Sequence, residues 1–275
     1  MMNLYQRLSL LVIFSCTLAI VGCGKTTDSA NRPTAGPKVA PGLVPPNGFF
    51  IGQEQIENMD RMFTDGMKRE REGEKFQFRV VDAGDMHLPS GKLVAADLHA
   101  GPVDAVEFDR TVAPGIYSTK IALVEFESQV QVGGLKIVFD DQPVEKWELA
   151  TVIGNDVSNL EPGQFVGFTS QSGIAYLADL ETVSQSCREL QKDSSELSKK
   201  ILQAIKDAKG QYANFTFEES NLATKNAGEP LRKKNALVSS TGWGEGTYAS
   251  YFGLSKDNQP VCLVVDFNVA NEYEE

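Results

Sequence analysis

The chain has 275 residues, 41% of them apolar and 23% charged, with a formal net charge of −11 at pH 7. That balance excludes collagen-like, wholly disordered and all-membrane polypeptides, and the length suits one large domain or two small ones with chain enough to bury a core. The acidic surface also argues against nucleic acid as a partner and against adhesion to anionic lipid by charge alone.

The first segment departs from this average. After the cation Arg7 comes the apolar run "LSLLVIFSCTLAIVG", which ends on Cys23. The run is short for a spanning helix and suits a secretory signal. A cysteine directly after the small residue Gly22 resembles the bacterial lipobox, in which that cysteine is acylated and becomes the new first residue. An ordinary cleaved signal, or an uncleaved anchor with an incidental cysteine, is the alternative. Two or three acyl chains hold a protein on a bilayer far more firmly than one. The expected organisation is a signal peptide over 1–22, a lipid anchor and linker over 23–48, and one globular domain over 49–275. The domain is then exported from the cytoplasm and attached through Cys23 to a membrane of the bacterial cell envelope. The linker, "GKTTDSANRPTAGPKVAPGLVPPNG", is too rich in Pro, Gly, Ser and Thr to form a core and reads as a spacer.

Within the domain, Ile56, Met59, Met62, Phe63 and Met67 recur at helical spacing and predict a short helix over 53–68, whose Met-rich stripe reads as core packing. From Lys75 the pattern turns to β-structure. "KFQFRVV" alternates, "GKLVAAD" follows the turn-like "LPSG", and "YSTKIALVEF" follows "APG". In "QVQVGGLKIVF" the pair Gly133 and Gly134 is either a hairpin turn or two small residues inside one strand, with the turn then at 127–129. Further strands are expected over 145–152, 164–168, 173–180, 236–240 and 262–269. Ser186 and Glu189 form a capping-box signature, and Leu190, Leu197, Ile201 and Ile205 make one apolar stripe before Gly210. They predict a long helix over about 185–209. The fold class is α+β: a mainly antiparallel sheet or sandwich carrying that long helix and the short N-terminal one.

Common catalytic signatures are missing: no G-x-S-x-G, P-loop, H-E-x-x-H or EF-hand loop occurs. His87 and His99, in "DMH" and "DLH", suggest a metal pair, but a hairpin at "LPSG" sets 87 opposite about 93, so no metal site is assigned. No cofactor is implied. Cys187 and Cys262 are the thiols left in the processed chain; they pair or stay as buried thiols, and Cys187 at a helix start has no evident base to activate it. Asp97, Asp179, Glu245 and Asp266 lie at strand ends or turns. They are the candidate catalytic carboxylates, with Asp at a strand end bonding its own turn as the structural reading. The stretch "STGWGEGTYASYFG" lies between two strand candidates. Its Trp243, Glu245 and Tyr248 form either a core-capping aromatic cluster or a ligand platform, since aromatic faces beside one carboxylate suit sugars or cationic groups.

These motifs, in chain order, resemble the DUF4241 family, a bacterial domain family of uncharacterised function. "LPSGKLVAAD" looks like the family's P-S-G followed by a strand ending in Asp, "APGIY" its P-G-x-Y, and "VEKWELA" its W-E-x-A. "NALVSSTGWGEGTYASYFG" resembles its S-G-W-G-D-G-x-Y segment and "VVDFNV" its terminal D-F, so that the likeness spans about 75–270. The resemblance implies one continuous strand through Gly133 and Gly134. It also marks two departures: Gln171 stands where the family has an acid in "SQSGIAYLAD", although Asp179 is kept, and Glu245 replaces Asp. It brings no reaction. Together the residues point to a lipid-anchored envelope protein whose domain binds a ligand or partner without turnover. The alternative is a carboxylate-based hydrolase acting on an envelope or extracellular substrate.

Overall fold

The structure is a computed structural model and describes residues 59, 61–71, 73–98, 106–160, 164–183, 199, 203, 212–215 and 236–270. Among these the fold is mainly antiparallel β. The strands are β1 (Lys68–Arg71), β2 (Glu74–Leu88), β3 (Leu93–Asp97), β4 (Gly115–Phe126), β5 (Val130–Val138) and β6 (Lys146–Leu149). They continue with β7 (Phe168–Ser170), β8 (Ile174–Asp179), β9 (Tyr212–Phe215), β10 (Ala236–Ser240), β11 (Gly246–Leu254) and β12 (Pro260–Asp266). The larger sheet runs β1-β2-β4-β5-β12-β11-β6, with β7 also on β11, and the smaller runs β3-β8-β10-β9. The larger sheet curls into a half-barrel.

The sheets share one core. Leu93, Ala95, Ala175, Leu177 and Leu237 of the smaller sheet pack with Ile121, Leu135, Phe252 and Val264 of the larger. The alternate residues of the smaller sheet, Val94, Ala96, Tyr176, Ala178 and Val238, form a second cluster with Val183. β3, β8 and β10 are therefore buried on both faces, which is why "LVAA" is apolar rather than alternating. Residues 106–112 run along one edge of each sheet, β3 and the end of β6. Phe108 N donates to Leu93 O on β3, Asp109 N to Thr151 O just past β6, and Val112 N to Gly91 O. Covering such edges removes templates for unwanted strand pairing.

The turn at 127–129 is where it was expected: Phe126 N donates to Gln129 O, and β5 runs unbroken through the glycine pair. The register of β4 on β5 shifts between Ala122 and Leu123, leaving Gly133 as the bulged residue. A Cβ on Gly134 would come within 2.7 Å of Val265 O and 3.1 Å of Met62 Sδ. The glycines thus make room for Met62, buried with Met59 against the sheet, as the core reading of the Met stripe anticipated.

Several expectations are corrected. The N-terminal helix does not reach residue 68: helical backbone ends at Met62, the chain reverses over 63–66, and Lys68 starts β1 on β2. "LPSG" does not close a hairpin; it carries the chain from β2 in the larger sheet to β3 in the smaller, so His87 faces Ile116 of β4. His99 and Cys187 lie outside the described residues, and Cys262 is buried in β12. The long helix over 185–209 is not supported. The described residues give one helical turn at 180–183 and helical backbone at Lys199 and Gln203, and the rest of that segment lies outside them. "GTYASYFGL", to which no strand was assigned, is β11, an internal strand of the larger sheet between β12 and β6. No helix among the described residues is long and apolar enough to cross a membrane.

Candidate functional site

Segment 240–253 divides into a turn over 241–245 and the first part of β11. The turn is built to hold one shape. Gly244 N donates to Thr241 O at 3.0 Å, the Thr241 hydroxyl donates to Gly244 O, and Thr241 N donates to Gly173 O of the neighbouring β7–β8 turn at 3.0 Å. The Tyr248 hydroxyl reaches back to the same two carbonyls, Thr241 O at 2.9 Å and Gly244 O at 2.6 Å. Gly242 sits at φ +55°, and a Cβ there would come within 2.4 Å of Val269 Cγ2. Burial pushes the Tyr248 phenol above its ordinary value of 10.0, against the opposing pull of the Thr241 side chain. Tyr248 is therefore a support for the turn, buried against Phe267 and Phe168.

Trp243 is different. It is 55% exposed, and its ring leans on Phe126 with centroids 5.7 Å apart and planes at 41°. Glu245 is exposed on the same turn.

The other candidate carboxylates are held in the framework. Asp97 ends β3 and is 5% exposed. Its Oδ2 accepts from Ser170 Oγ, Gln171 N, Ser172 N and Ser172 Oγ, all within 2.9 Å. Asp179 ends β8 and is completely buried. Its Oδ2 accepts from the backbone N–H groups of Ser90 and Gly91, and its Oδ1 from Ser90 Oγ and Glu181 N. This fixes the "LPSG" crossover. Asp97 pairs with Ala175 and Asp179 with Leu93, so the two sit at opposite ends of the β3–β8 pair, about 14 Å apart by strand rise. Asp266 pairs with Ala249 and accepts from Asn268 N at 2.8 Å, buried at the end of β12. Along β11, Ala249 lies four residues beyond Glu245, again about 14 Å away. The two-carboxylate chemistry of glycosidases needs both groups on one reacting centre, which neither the Asp97–Asp179 pair nor the Glu245–Asp266 pair provides. Asp97 is bonded to the β7–β8 turn that adjoins the Glu245 turn.

The residues with which the resemblance replaces two family acids meet at one place. Gly246 pairs with Ser170, so Glu245 and Gln171 stand one step beyond the last paired residues, on adjoining turns. Both are exposed. Here only one of the two carries a charge.

Two features escaped the sequence reading. Arg110 forms a bidentate pair with Glu148 on β6, at 2.8 and 2.7 Å, and that bond raises its pKa further. Beside it the Thr151 hydroxyl donates to Asp109, whose carboxyl is raised by desolvation despite that bond. Glu148 belongs to the quoted "WELA" motif, but nothing local marks Arg110 as its partner. The second feature is an open groove of about 1250 Å³ between the β1–β2 hairpin and the β4–β5 turn. It is lined by Lys68, Arg69, Lys75, Glu74, Glu125 and Glu127 around Phe126, the ring on which Trp243 leans. None of the four candidate carboxylates lines it. Among the described residues no group of three or more His, Cys, Asp or Glu side chains is placed to hold a metal ion.

A model of a protein family of unknown function, DUF4241, matches residues 86–265. The chain belongs to the DUF4241 family. The match begins within β2 and ends in β12, so the DUF4241 region holds Trp243, Phe126, Asp97 and Asp179. The groove wall formed by 68–77 lies upstream of it. No curated protein and no solved structure matches the chain.

Proposed function

We propose that this DUF4241 protein is a lipid-anchored protein of the bacterial envelope whose domain binds a ligand or protein partner without turning it over. The observation that carries the binding role is Trp243. A large aromatic side chain left more than half exposed, on a turn fixed by five hydrogen bonds, is a pre-ordered contact surface that loses little entropy when covered. The non-catalytic part draws support from the carboxylates. Asp97, Asp179 and Asp266 spend their oxygens on turns, and Gln171 leaves Glu245 without an acidic neighbour across from it. Anchoring and envelope location rest on the apolar run ending in Gly22 and Cys23 and on the spacer after it.

Each part has its own test. Radiolabelled palmitate should enter the wild-type chain expressed in a bacterium and not Cys23→Ser; equal labelling refutes the anchor. Purified protein incubated with envelope glycans and ester substrates should release no product. Hydrolysis that disappears in a folded Glu245→Ala or Asp266→Ala variant replaces the binding role by a carboxylate hydrolase.

A further inference from the structure

We infer that the groove between the β1–β2 hairpin and the β4–β5 turn, together with Trp243 at its side, is a site for an uncharged polyhydroxylated chain: an oligosaccharide of several sugar units. This rests on the binding role proposed above and adds the class of ligand.

Size is the first argument. At about 1250 Å³ the groove exceeds the usual range for small-molecule pockets, and it lies open along the surface rather than closing around an occupant. Such an open shape lets an extended chain lie along it. The aromatic surface is the second. Phe126 lines the groove, and the exposed Trp243, outside that lining, packs on the Phe126 ring with centroids 5.7 Å apart and planes at 41°. Phe126 is itself backed by Phe76 at 5.5 Å, so the pair rests on buried packing and stays in place. Flat, rigid aromatic faces match the C–H faces of pyranose rings at low entropic cost.

Charge decides between ligand classes. The groove carries three cations and four carboxylates, and part of this charge is cancelled locally. Lys75 lies 4.0 Å from Glu70, and Arg79 is ion-paired with Glu125. A polyanion would meet the carboxylates and a polycation the lysines and arginine, so neither gains a complementary field. What such a surface offers instead is donors and acceptors side by side, which a row of hydroxyls uses in both senses. The competing class is a cationic peptide, which the net charge of −11 and Glu245 beside Trp243 would attract.

The test uses the full-length chain in a detergent without a sugar headgroup. Cellohexaose, chitohexaose, maltohexaose and hexalysine are titrated while tryptophan emission and heat are followed. Trp147 is buried and Trp243 exposed, so the long-wavelength emission reports Trp243. At least one hexasaccharide should shift that emission to the blue and saturate, and its trisaccharide should bind about tenfold more weakly. Trp243→Ala should weaken the calorimetric affinity by about tenfold or more, the equivalent of one well-packed aromatic contact, with thermal unfolding unchanged. Binding that survives Trp243→Ala, or no response to any of the three hexasaccharides, overturns the inference. Saturation by hexalysine alone overturns the ligand class and leaves the binding role standing. Shorter saccharides appearing during incubation support the site and overturn the non-catalytic role instead.

Discussion

The β7–β8 turn and the β10–β11 turn lie against each other, joined by Thr241 N on Gly173 O, and they use their side chains in opposite ways. The first gathers four donors onto one oxygen of the buried Asp97. The second turns Trp243 and Glu245 outward and satisfies its own backbone through Thr241 and Tyr248. A charge survives burial only where donors converge on it, so Asp97 marks architecture. An exposed aromatic on an equally fixed turn has no such structural reason to be there, and it marks the surface where binding should be sought.

The comparison breaks most visibly at Asp97. Asp97→Ala leaves the N–H groups of Gln171 and Ser172 without that acceptor in a partly buried turn, at a cost of about 3 kcal/mol. Urea unfolding should show that loss with an unchanged slope. A change below about 1 kcal/mol would mean that the turn finds water instead, and that Asp97 is available for other chemistry. Tyr248→Phe comes next. It removes the hydroxyl that reaches Thr241 O and Gly244 O while keeping the ring in the core, and should cost about 1–2 kcal/mol. Its amide exchange should quicken over 241–245 and not over 170–173. Equal quickening in both turns would show that they open as one unit.

How far the two turns were legible follows from where their partners lie. A strand with one face more exposed than the other, such as "KFQFRVV", shows its alternation and was found. β11 was missed because Tyr248 through Leu254 are buried on both sides, which erases the period of two. The N-terminal helix was drawn too long because pairing with β2 captures residues that a helical spacing also fits. Asp97 and Asp179, candidates either for catalysis or for bonding their own turns, hold other turns. The turns they hold lie about 75 and 89 residues away in sequence, a distance no local pattern reveals. Tyr248 was left between a core-capping cluster and a ligand platform because its acceptors are backbone carbonyls, which sequence does not display. The groove combines 68–77 with 125–128, and its charged walls look in sequence like any solvated hairpin.

A smaller effect distinguishes the edge clasp from both turns. Desolvation raises the Asp109 carboxyl from 3.8, so the folded chain holds that proton more tightly than the unfolded one. Its contribution to stability is present at acid pH and is lost as pH rises through the folded value. Asp109→Asn keeps an acceptor for the Thr151 hydroxyl and removes the loss. It should melt with the wild type at pH 3 and about 1–2 °C above it at pH 7, a modest shift because Asp109 is open to solvent. A variant that melts lower at pH 7 would show that attraction to Arg110 outweighs desolvation.

The smallest expected change on stability is the most telling. Trp243→Ala removes the ring resting on Phe126, but most of that ring already faces water and no hydrogen bond of the turn passes through it. The loss should stay within about 0.5 kcal/mol, as for surface substitutions that touch no cap, cavity or buried polar group. If Trp243→Ala instead costs 2 kcal/mol or more, the ring is part of the core's lid and both neighbouring turns are architecture. A near-zero value places Trp243 opposite Asp97: one side chain the fold needs and nothing else uses, the other a side chain the fold does not need. In that case the selective reason for the tryptophan must lie in what covers it.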